Sequence, residues 1–235
     1  MSKLKKFRNI IANISIVAIL LSIMGITYAG GVLNVFSSNK PSAIYHGNTS
    51  KKNISLMINV YWGTEYIEPM LKILEEKNAK VTFFVGGSWV SNNSEILLLI
   101  NEYGHEIGNH GYFHKDHKTI SLEKNKEEMF LTHKLVKELI GKDITLFAPP
   151  SGSYNNHTLD VASQMGYRTI MWSKDTIDWR DKNTDLIYKR ATNNPSNGDL
   201  ILMHPTFNTL EALSNIIDFY QSNNFNLVTV TENID

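Results

Sequence analysis

Two histidines in this chain of 235 residues have the spacing of metal ligands. His110 and His114 stand four apart in "HGYFH", which turns both imidazoles to one side of a helical backbone and suits Zn²⁺ or a similar ion. With eight histidines in the chain, such a pair also arises easily by chance. The position just beyond a strand-like run, beside Asp116 and His117, favours the metal site.

A third histidine has the surroundings expected of a general acid. His204 directly follows the apolar run "LILM", so its ring should lie at the top of the core. There it can give a proton to a leaving amine if a carboxylate orients and charges it. Asp178, in "DTIDW", is the natural partner. The alternative is an ordinary histidine held by a backbone carbonyl.

The loop "FAPPSGSY" should be rigid, because two prolines fix φ and Gly152 permits unusual backbone angles. The amides near Ser151 to Ser153 would then point in set directions and could hold an oxyanion, although a stiff connection explains the loop equally well. Ser151 lacks the G-x-S-x-G surroundings of a nucleophile. Tyr154 and Trp179 could stack on sugar faces, or they could belong to the core.

The elements that must position these side chains alternate between short β-like runs and amphipathic helical stretches. The seven runs are "ISLMINV", "VTFFV", "HEIG", "TLFA", "YRTIMW", "DLILM" and "NLVTV". This alternation predicts parallel strands with crossover helices, either in an open doubly wound sheet or in a (β/α) barrel with seven strands. Both architectures place their sites at the carboxyl ends of the strands, where the polar residues above are found. No glycine-rich phosphate motif follows the first run.

The composition indicates which partners the protein could bind, and the N-terminus indicates its cellular location. Lys and Arg total 23 and Asp and Glu total 23, so no basic field favours nucleic acid, and a neutral partner such as a glycan fits. The chain has no cysteine. Four basic residues precede an apolar run of about 20 residues, which predicts a signal peptide or signal-anchor over residues 1–29 and an extracytoplasmic protein. Residues 30–52 are expected to be a linker, and residues 53–235 the folded domain.

Taken in order, "INVYWG", "GHEIGNHGYFH", "FAPPSGSY", "DTIDW" and "LILMH" resemble the motifs of the polysaccharide deacetylases of the NodB-homology group, carbohydrate esterase family 4. The resemblance covers about residues 53–232 and implies a distorted seven-stranded (β/α) barrel. In that family an aspartate and the two histidines of HxxxH hold a divalent metal that polarises an N-acetyl carbonyl and activates water. A neighbouring aspartate is the base, and a late histidine is the acid.

Carried over residue by residue, the resemblance makes His110 and His114 the metal histidines. Asp178 and Trp179 match the motif that orients the acid, which is His204. The groove that takes the substrate would be lined by Trp62, Pro150, Ser151, Gly152, Tyr154 and Trp179.

The first and third motifs depart from the family pattern. Asn59 and Val60 stand where the two aspartates are usual, Ala148 replaces an arginine that braces the base, and Ser151 replaces a tyrosine. The sequence resembles most a divergent branch associated with sporulating bacteria, in which an aspartate is still expected at the position of Asn59.

Asn59 cannot act as a base, because an amide nitrogen accepts no proton and an amide oxygen is a weak, neutral ligand. Glu65 is the nearest replacement, although a carboxylate at the start of a helix is also favoured by the helix dipole alone.

Two functions follow from these observations. The first is a membrane-tethered deacetylase that acts on N-acetylated cell-wall polysaccharide with a weakly bound divalent metal ion; the retained Asp178 and His204 favour it. The second is a catalytically impaired barrel that binds peptidoglycan or chitin-like chains as a scaffold, which Asn59, Val60 and Ala148 favour. A sugar hydrolase with paired carboxylates fits less well, because the acidic residues at the strand ends form no obvious pair.

Overall fold

The computed structural model describes residues 7, 13–22, 24–25 and 40–235. The chain divides into two compact units, Met1–Lys40 and Pro41–Asp235. In the first unit, residues 13–22 and 24–25 are helical. None of the helices formed by the described residues is long and apolar enough to cross a membrane. The signal or anchor segment predicted over 1–29 lies partly outside the described residues, as does the predicted linker up to residue 39.

The second unit is built on a parallel sheet. Its strands are β1 (Asn53–Val60), β2 (Thr82–Val85), β3 (Glu106–Asn109), β4 (Leu146–Phe147), β5 (Arg168–Thr169), β6 (Lys174–Asp175), β7 (Leu200–Met203) and β8 (Asn226–Leu227). They are ordered β5-β4-β3-β2-β1-β7-β6, and β8 pairs with the start of β1. No ladder among the described residues joins β5 to β6. The sheet is therefore an open half-barrel of seven strands, and the predicted barrel is not closed.

Helices connect the strands, and those between β1 and β8 pack against one face of the sheet. They are α1 (Thr64–Glu76), α2 (Gly87–Asn92), α3 (Ser94–Glu102), α4 (Leu122–Ile140), α5 (Asn156–Gln164), α6 (Thr184–Thr192), α7 (Phe207–Ser222) and α8 (Val230–Ile234), with a 3₁₀ turn at Pro150–Gly152.

Alternation along the strands separates two cores. Ile58 and Val60 of β1 pack in the core between the sheet and the helices, whereas Met57 packs with Phe84 and Leu200 on the concave face. Successive side chains of a strand point to opposite faces, so Asn59 lies on the concave face two residues beyond Met57. The same alternation in β7 places Leu200 and Leu202 on the concave face, and His204 follows on that face two residues later. The carboxyl end of the half-barrel is where its polar residues converge.

The residues before β1 belong to the folded unit. Ile44 forms a parallel bridge with Ile170, the Gly47 amide donates to the Gly198 carbonyl at 2.7 Å, and the Asn48 amide donates to the Asn233 carbonyl at 2.7 Å. The folded unit thus begins at Pro41, earlier than the predicted domain start at residue 53.

Short elements account for the other differences from the sequence prediction. Strand β6 and helices α2 and α6 were not predicted. The run "NLVTV" is a two-residue strand followed by helix α8, because the Thr229 side chain and Glu232 form a capping box that starts a helix there.

Candidate functional site

A cavity of about 530 Å³ opens at the carboxyl ends of the strands. It is lined by Asn59, Tyr61, Trp62, His110, His114, Ser151, Trp172, Asp175, Trp179, Leu202 and His204. Seven of the twelve residues predicted to form the site therefore meet here, and we call this cavity the pocket. Tyr61, Trp172, Asp175 and Leu202 also line it but were not among those predicted.

His204 is held by Asp178, as predicted. Its Nδ1 lies 2.8 Å from Asp178 Oδ1, and its backbone amide donates to Asp178 Oδ2 at 2.6 Å. The Thr209 hydroxyl donates to the same Oδ2 at 2.6 Å, which ties the carboxylate to helix α7. The Asp178 side chain is fully buried, whereas that of His204 keeps 16% of its exposure. With Nδ1 engaged by the carboxylate, Nε2 is the ring nitrogen left to exchange a proton with a ligand.

The turn that carries Asp178 is strained. Ile177 adopts a left-handed conformation with φ of 54°, which is unfavourable for a β-branched residue and costs roughly 1–3 kcal/mol. Its amide donates to Asp175 Oδ1 at 2.7 Å, so the Asp175 carboxylate stabilises the turn. Asp175 therefore helps to position the partner of His204.

The rings of His110 and His114 meet edge to face, with 5.1 Å between their centroids. His110 Nδ1 lies 2.8 Å from the Ala148 carbonyl oxygen, which can only accept, so Nδ1 carries the proton and Nε2 keeps its lone pair. Burial lowers the pKa of His110 well below its ordinary value, and burial also lowers the pKa of His114. Both shifts favour the neutral form of the ring.

The loop that carries His114 is fixed from helix α4. The Glu128 carboxylate is buried and accepts the amides of Tyr112 at 2.8 Å and Phe113 at 2.7 Å. Asn109 Oδ1 accepts the Gly111 amide at 2.9 Å. These bonds hold a backbone that is not helical, and they place His114 in the left-handed region with φ of 54°. The pair therefore meets through loop geometry, whereas helical spacing was the predicted reason.

His117 lies behind the pocket. It is buried, its Nδ1 lies 2.7 Å from Asn125 Oδ1, and its Nε2 bonds to no described residue. Burial lowers the pKa of His117 to about 4. It does not line the pocket, so it contributes a neutral structural ring rather than a third imidazole at the site.

The turn at Pro150–Gly152 offers fewer free amides than the sequence suggested. The Gly152 amide donates to the Pro149 carbonyl at 2.9 Å and the Ser153 amide to the Pro150 carbonyl at 3.0 Å. Only the Ser151 amide, at a residue with φ of 55°, forms no hydrogen bond with a described residue. Any oxyanion contact from this turn would therefore come from Ser151.

Five of the predicted site residues lie away from the pocket lining. Asp178 lies behind His204, Pro150 is buried beneath the turn, and Gly152 packs against the Trp172 ring. Tyr154 bonds to Tyr45 outside the pocket. These positions support the lining residues without forming the cavity surface.

Glu65 is the fifth, and its predicted role as a substitute base is not supported. It is exposed in the first turn of α1 and lies outside the pocket. A carboxylate there is favoured by the helix dipole, which accounts for the residue.

The donor set does not fit a tight metal site. His110 and His114 offer two imidazole nitrogens, but the side chain of Val60 is apolar and fully buried in the core. Asn59 adds an amide oxygen that is buried and forms no hydrogen bond with any described residue. The described residues contain no group of three or more His, Cys, Asp or Glu that could hold a metal ion.

The aromatic walls and the acid suit a sugar polymer. Trp62 is 45% exposed and stacks on the His204 ring at 5.8 Å with an interplanar angle of 7°. Trp179, in the loop after β6, is 55% exposed. Flat apolar faces beside a few fixed polar groups are typical of pockets that bind amphipathic ligands.

Comparison with known proteins gives consistent matches. The sequence profile of the family described as Polysaccharide deacetylase matches residues 46–170. The uncharacterized protein YlxY of Bacillus subtilis (strain 168) is 40% identical over 198 residues, which are 84% of this chain and 62% of that protein, so the chain spans less than two thirds of the length of YlxY. Peptidoglycan-N-acetylmuramic acid deacetylase PdaA of the same organism is 28% identical over 183 residues, 76% of this chain and 70% of that protein.

A solved structure gives a close match in fold. Wild-type BA3943 from Bacillus anthracis, a CE4 family pseudoenzyme, is 35% identical with a TM-score of 0.81, and the match covers 83% of this chain and 69% of that one. A mutant of BA3943 with restored enzymatic activity also matches with a TM-score of 0.81.

Proposed function

The chain belongs to the polysaccharide deacetylase family, and from that premise we propose that its pocket binds an N-acetylated glycan of the bacterial cell wall with hydrolysis impaired. One observation carries this proposal. The pocket keeps the acid and the aromatic walls, but Asn59 stands at the strand end where the family keeps its base.

Amide hydrolysis needs two proton transfers, and the pocket supports one of them. His204 Nε2 can protonate a leaving amine while Asp178 holds the ring. A water molecule must also lose a proton to a base, and the Asn59 amide accepts none. Among the described residues that line the pocket, Asp175 has the only carboxylate, and its Oδ1 is engaged by the Ile177 amide. Binding is therefore retained in this proposal and turnover is not.

A divalent metal would supply polarisation of the N-acetyl carbonyl in an active member of the family. Here two imidazoles without an anionic ligand predict weak binding at most. We therefore assign no step to a metal ion.

The substrate class rests on the relatives together with the pocket. PdaA is a peptidoglycan-N-acetylmuramic acid deacetylase, and peptidoglycan is an N-acetylated glycan. The neutral net charge of this chain fits a neutral sugar backbone. Peptidoglycan, or a chitin-like chain of the same chemistry, is thus the proposed ligand.

Titration calorimetry with oligosaccharides of N-acetylglucosamine and with peptidoglycan fragments tests the proposal. The parent protein should bind, and Trp62→Ala should weaken binding about fivefold or more, as expected for a central aromatic contact. Phe130→Ala is the matched control, because Phe130 on α4 is 51% exposed, close to the 45% of Trp62, and does not line the pocket. A folded parent protein that binds none of these ligands would contradict the proposal.

Deacetylation is the second candidate, and the His204–Asp178–Thr209 arrangement favours it. It predicts acetate release that a chelator stops and that His204→Ala lowers by about 10²-fold to 10⁴-fold. Acetate release at the uncatalysed rate, together with glycan binding, would leave the binding function alone.

The location is proposed from the sequence. Four basic residues on one side of an apolar run near bilayer length support export with retention at the membrane. Recovery of most of the protein in soluble form, beginning at Gly30, would replace retention by cleavage of a signal peptide.

A further inference from the structure

Two tyrosines from distant parts of the chain form a hydrogen-bonded pair. The hydroxyls of Tyr45 and Tyr154 lie 2.7 Å apart, although 109 residues separate them in sequence. Tyr45 is 47% exposed, and Tyr154 is partly buried. Nearly half of Tyr45 therefore remains open to contact with a ligand.

The segments that carry the two tyrosines run beside Trp172. The Met171 amide donates to the Ile44 carbonyl at 2.8 Å, which places Tyr45 beside the strand end that leads into Trp172. On the other side, a Cβ on Gly152 would lie 2.6 Å from the Trp172 ring, so the turn before Tyr154 rests on that ring. Trp172, a wall of the pocket, is therefore flanked by the segments that carry both tyrosines.

Both tyrosines are held in place by their neighbours along the chain. Ile44 is fixed by its bridge to Ile170. Ser153 donates to Asp116 Oδ1 at 2.5 Å, and the Asn155 side chain caps helix α5 and donates to the Lys118 carbonyl at 2.9 Å. Tyr154 thus stands between two anchored residues. Preorganised aromatic rings bind with little loss of conformational entropy.

The hydroxyl chemistry suits a sugar. One O–H of the pair is used between the two tyrosines, so one O–H donor and several lone pairs remain for a ligand. The hydrogen bond with Tyr45 raises the pKa of Tyr154 to about 12, so Tyr154 keeps its proton at neutral pH. A saccharide unit presents hydroxyl groups at its edge and apolar C–H groups on its face, which match the phenol oxygens and the phenol rings.

We propose that Tyr45 and Tyr154 form a second subsite, outside the pocket, that binds a further saccharide unit of a glycan chain already held in the pocket. The inference rests on the proposed glycan-binding function and extends it to ligand length. Tyr45 belongs to the segment between Pro41 and β1, so this segment would contact the glycan directly. An oligosaccharide long enough to pass Trp172 gains contacts that a short one cannot make.

Calorimetry with the disaccharide and the hexasaccharide of N-acetylglucosamine tests the subsite. Tyr45→Ala and Tyr154→Ala should each weaken hexasaccharide binding about fivefold, the scale of an interface aromatic, and leave the disaccharide Kd unchanged. The double variant should lose less than the product of the two effects, because each ring positions the other. Tyr45→Phe keeps the ring and should show a smaller loss. Phe130→Ala should change neither Kd.

The outcomes separate the subsite from a purely structural role. If Tyr45 only fastens the N-terminal segment, Tyr45→Ala lowers Tm while the ratio of the two Kd values stays at the parent value, and this overturns the proposal. If the alanine variant fails to fold, Tyr45→Phe, which removes only the hydroxyl oxygen, replaces it. A ratio of the two Kd values equal to that of the parent would then overturn the proposal. A parent that binds neither oligosaccharide would instead contradict the glycan-binding function itself.

Discussion

Asn59→Asp places a carboxylate in the pocket without changing the volume of the side chain. Asn59 is 3% exposed, and its Oδ1 already forms no hydrogen bond with a described residue. His110, His114 and His204 line the same cavity. The substitution therefore gives this strand end a group that can accept a proton, at nearly constant side-chain volume.

The substitution should lower the stability of the protein and raise the rate of hydrolysis, and the structure indicates the size of both effects. Burial of a carboxylate with incomplete partners should lower the free energy of unfolding by about 1–3 kcal/mol, and it should raise the pKa of the new acid. A positioned base contributes about 10²-fold to 10⁴-fold in rate. We expect about 10²-fold, the lower end, because Ala148 supplies no guanidinium and Val60 supplies no metal ligand.

Acetate release from N-acetylglucosamine oligosaccharides, with added Zn²⁺ and with a chelator, measures the gain. Asn59→Ser is the control without a base, and Asn59→Asp combined with His204→Ala is the control without an acid. The gain should be absent in both. It should also increase with pH as the new carboxylate ionises.

A folded Asn59→Asp protein that releases acetate no faster than Asn59→Ser at any pH would refute this reasoning. Glu65→Gln is the carboxylate control, because Glu65 is exposed outside the pocket and should not affect the rate. A parent activity that Glu65→Gln abolishes would show that Glu65 is the base after all.

Three further predictions concern buried ionisable groups. Burial lowers the pKa of His105 and of His117 to about 4, below the unfolded value of 6.5, so the unfolded chain binds protons first and stability is lost as the pH falls from about 6.5 towards 4. Urea unfolding should show that the free energy of unfolding falls by about 2 kcal/mol for each ring between pH 7 and pH 5. His117→Gln should remove one of these two contributions, whereas His157→Gln, at an exposed position, should remove neither. Glu128→Gln weakens the bonds to the Tyr112 and Phe113 amides, so the free energy of unfolding should fall by about 1.5–3 kcal/mol and hydrogen exchange at both amides should accelerate, whereas Glu127→Gln, on the exposed side of α4, should change neither. Asp178→Asn puts an NH₂ group where His204 and Thr209 donate, so the free energy of unfolding should fall by about 3 kcal/mol. The ¹⁵N shifts of the His204 ring should report a changed tautomer, and an unchanged tautomer would contradict the assigned role of Asp178. Asp160→Asn, at an exposed position, is the control.

The sequence determined the parts of the site that depend on local pattern. Buried runs that alternate with amphipathic stretches predicted the central strands and the helices between them. Because the carboxyl ends of parallel strands meet at one edge, the residues that follow them, such as Asn59, His110 and His204, could be expected to converge before any coordinates were known. The His204–Asp178 contact is confirmed for the same reason.

Tertiary structure alone decided which neighbouring residues reach the pocket. Glu65 and Asn59 lie six positions apart, yet helix α1 starts between them and directs Glu65 to solvent. Asp175 could be placed at a strand end from the sequence, but only the tertiary structure shows that it lines the pocket and accepts the Ile177 amide. The contact between Tyr45 and Tyr154 depends on how a segment without periodicity crosses the open edge of the half-barrel. Local pattern reports whether a residue is buried, but long-range contacts depend on the path of the whole chain, which the packing of all the elements determines together.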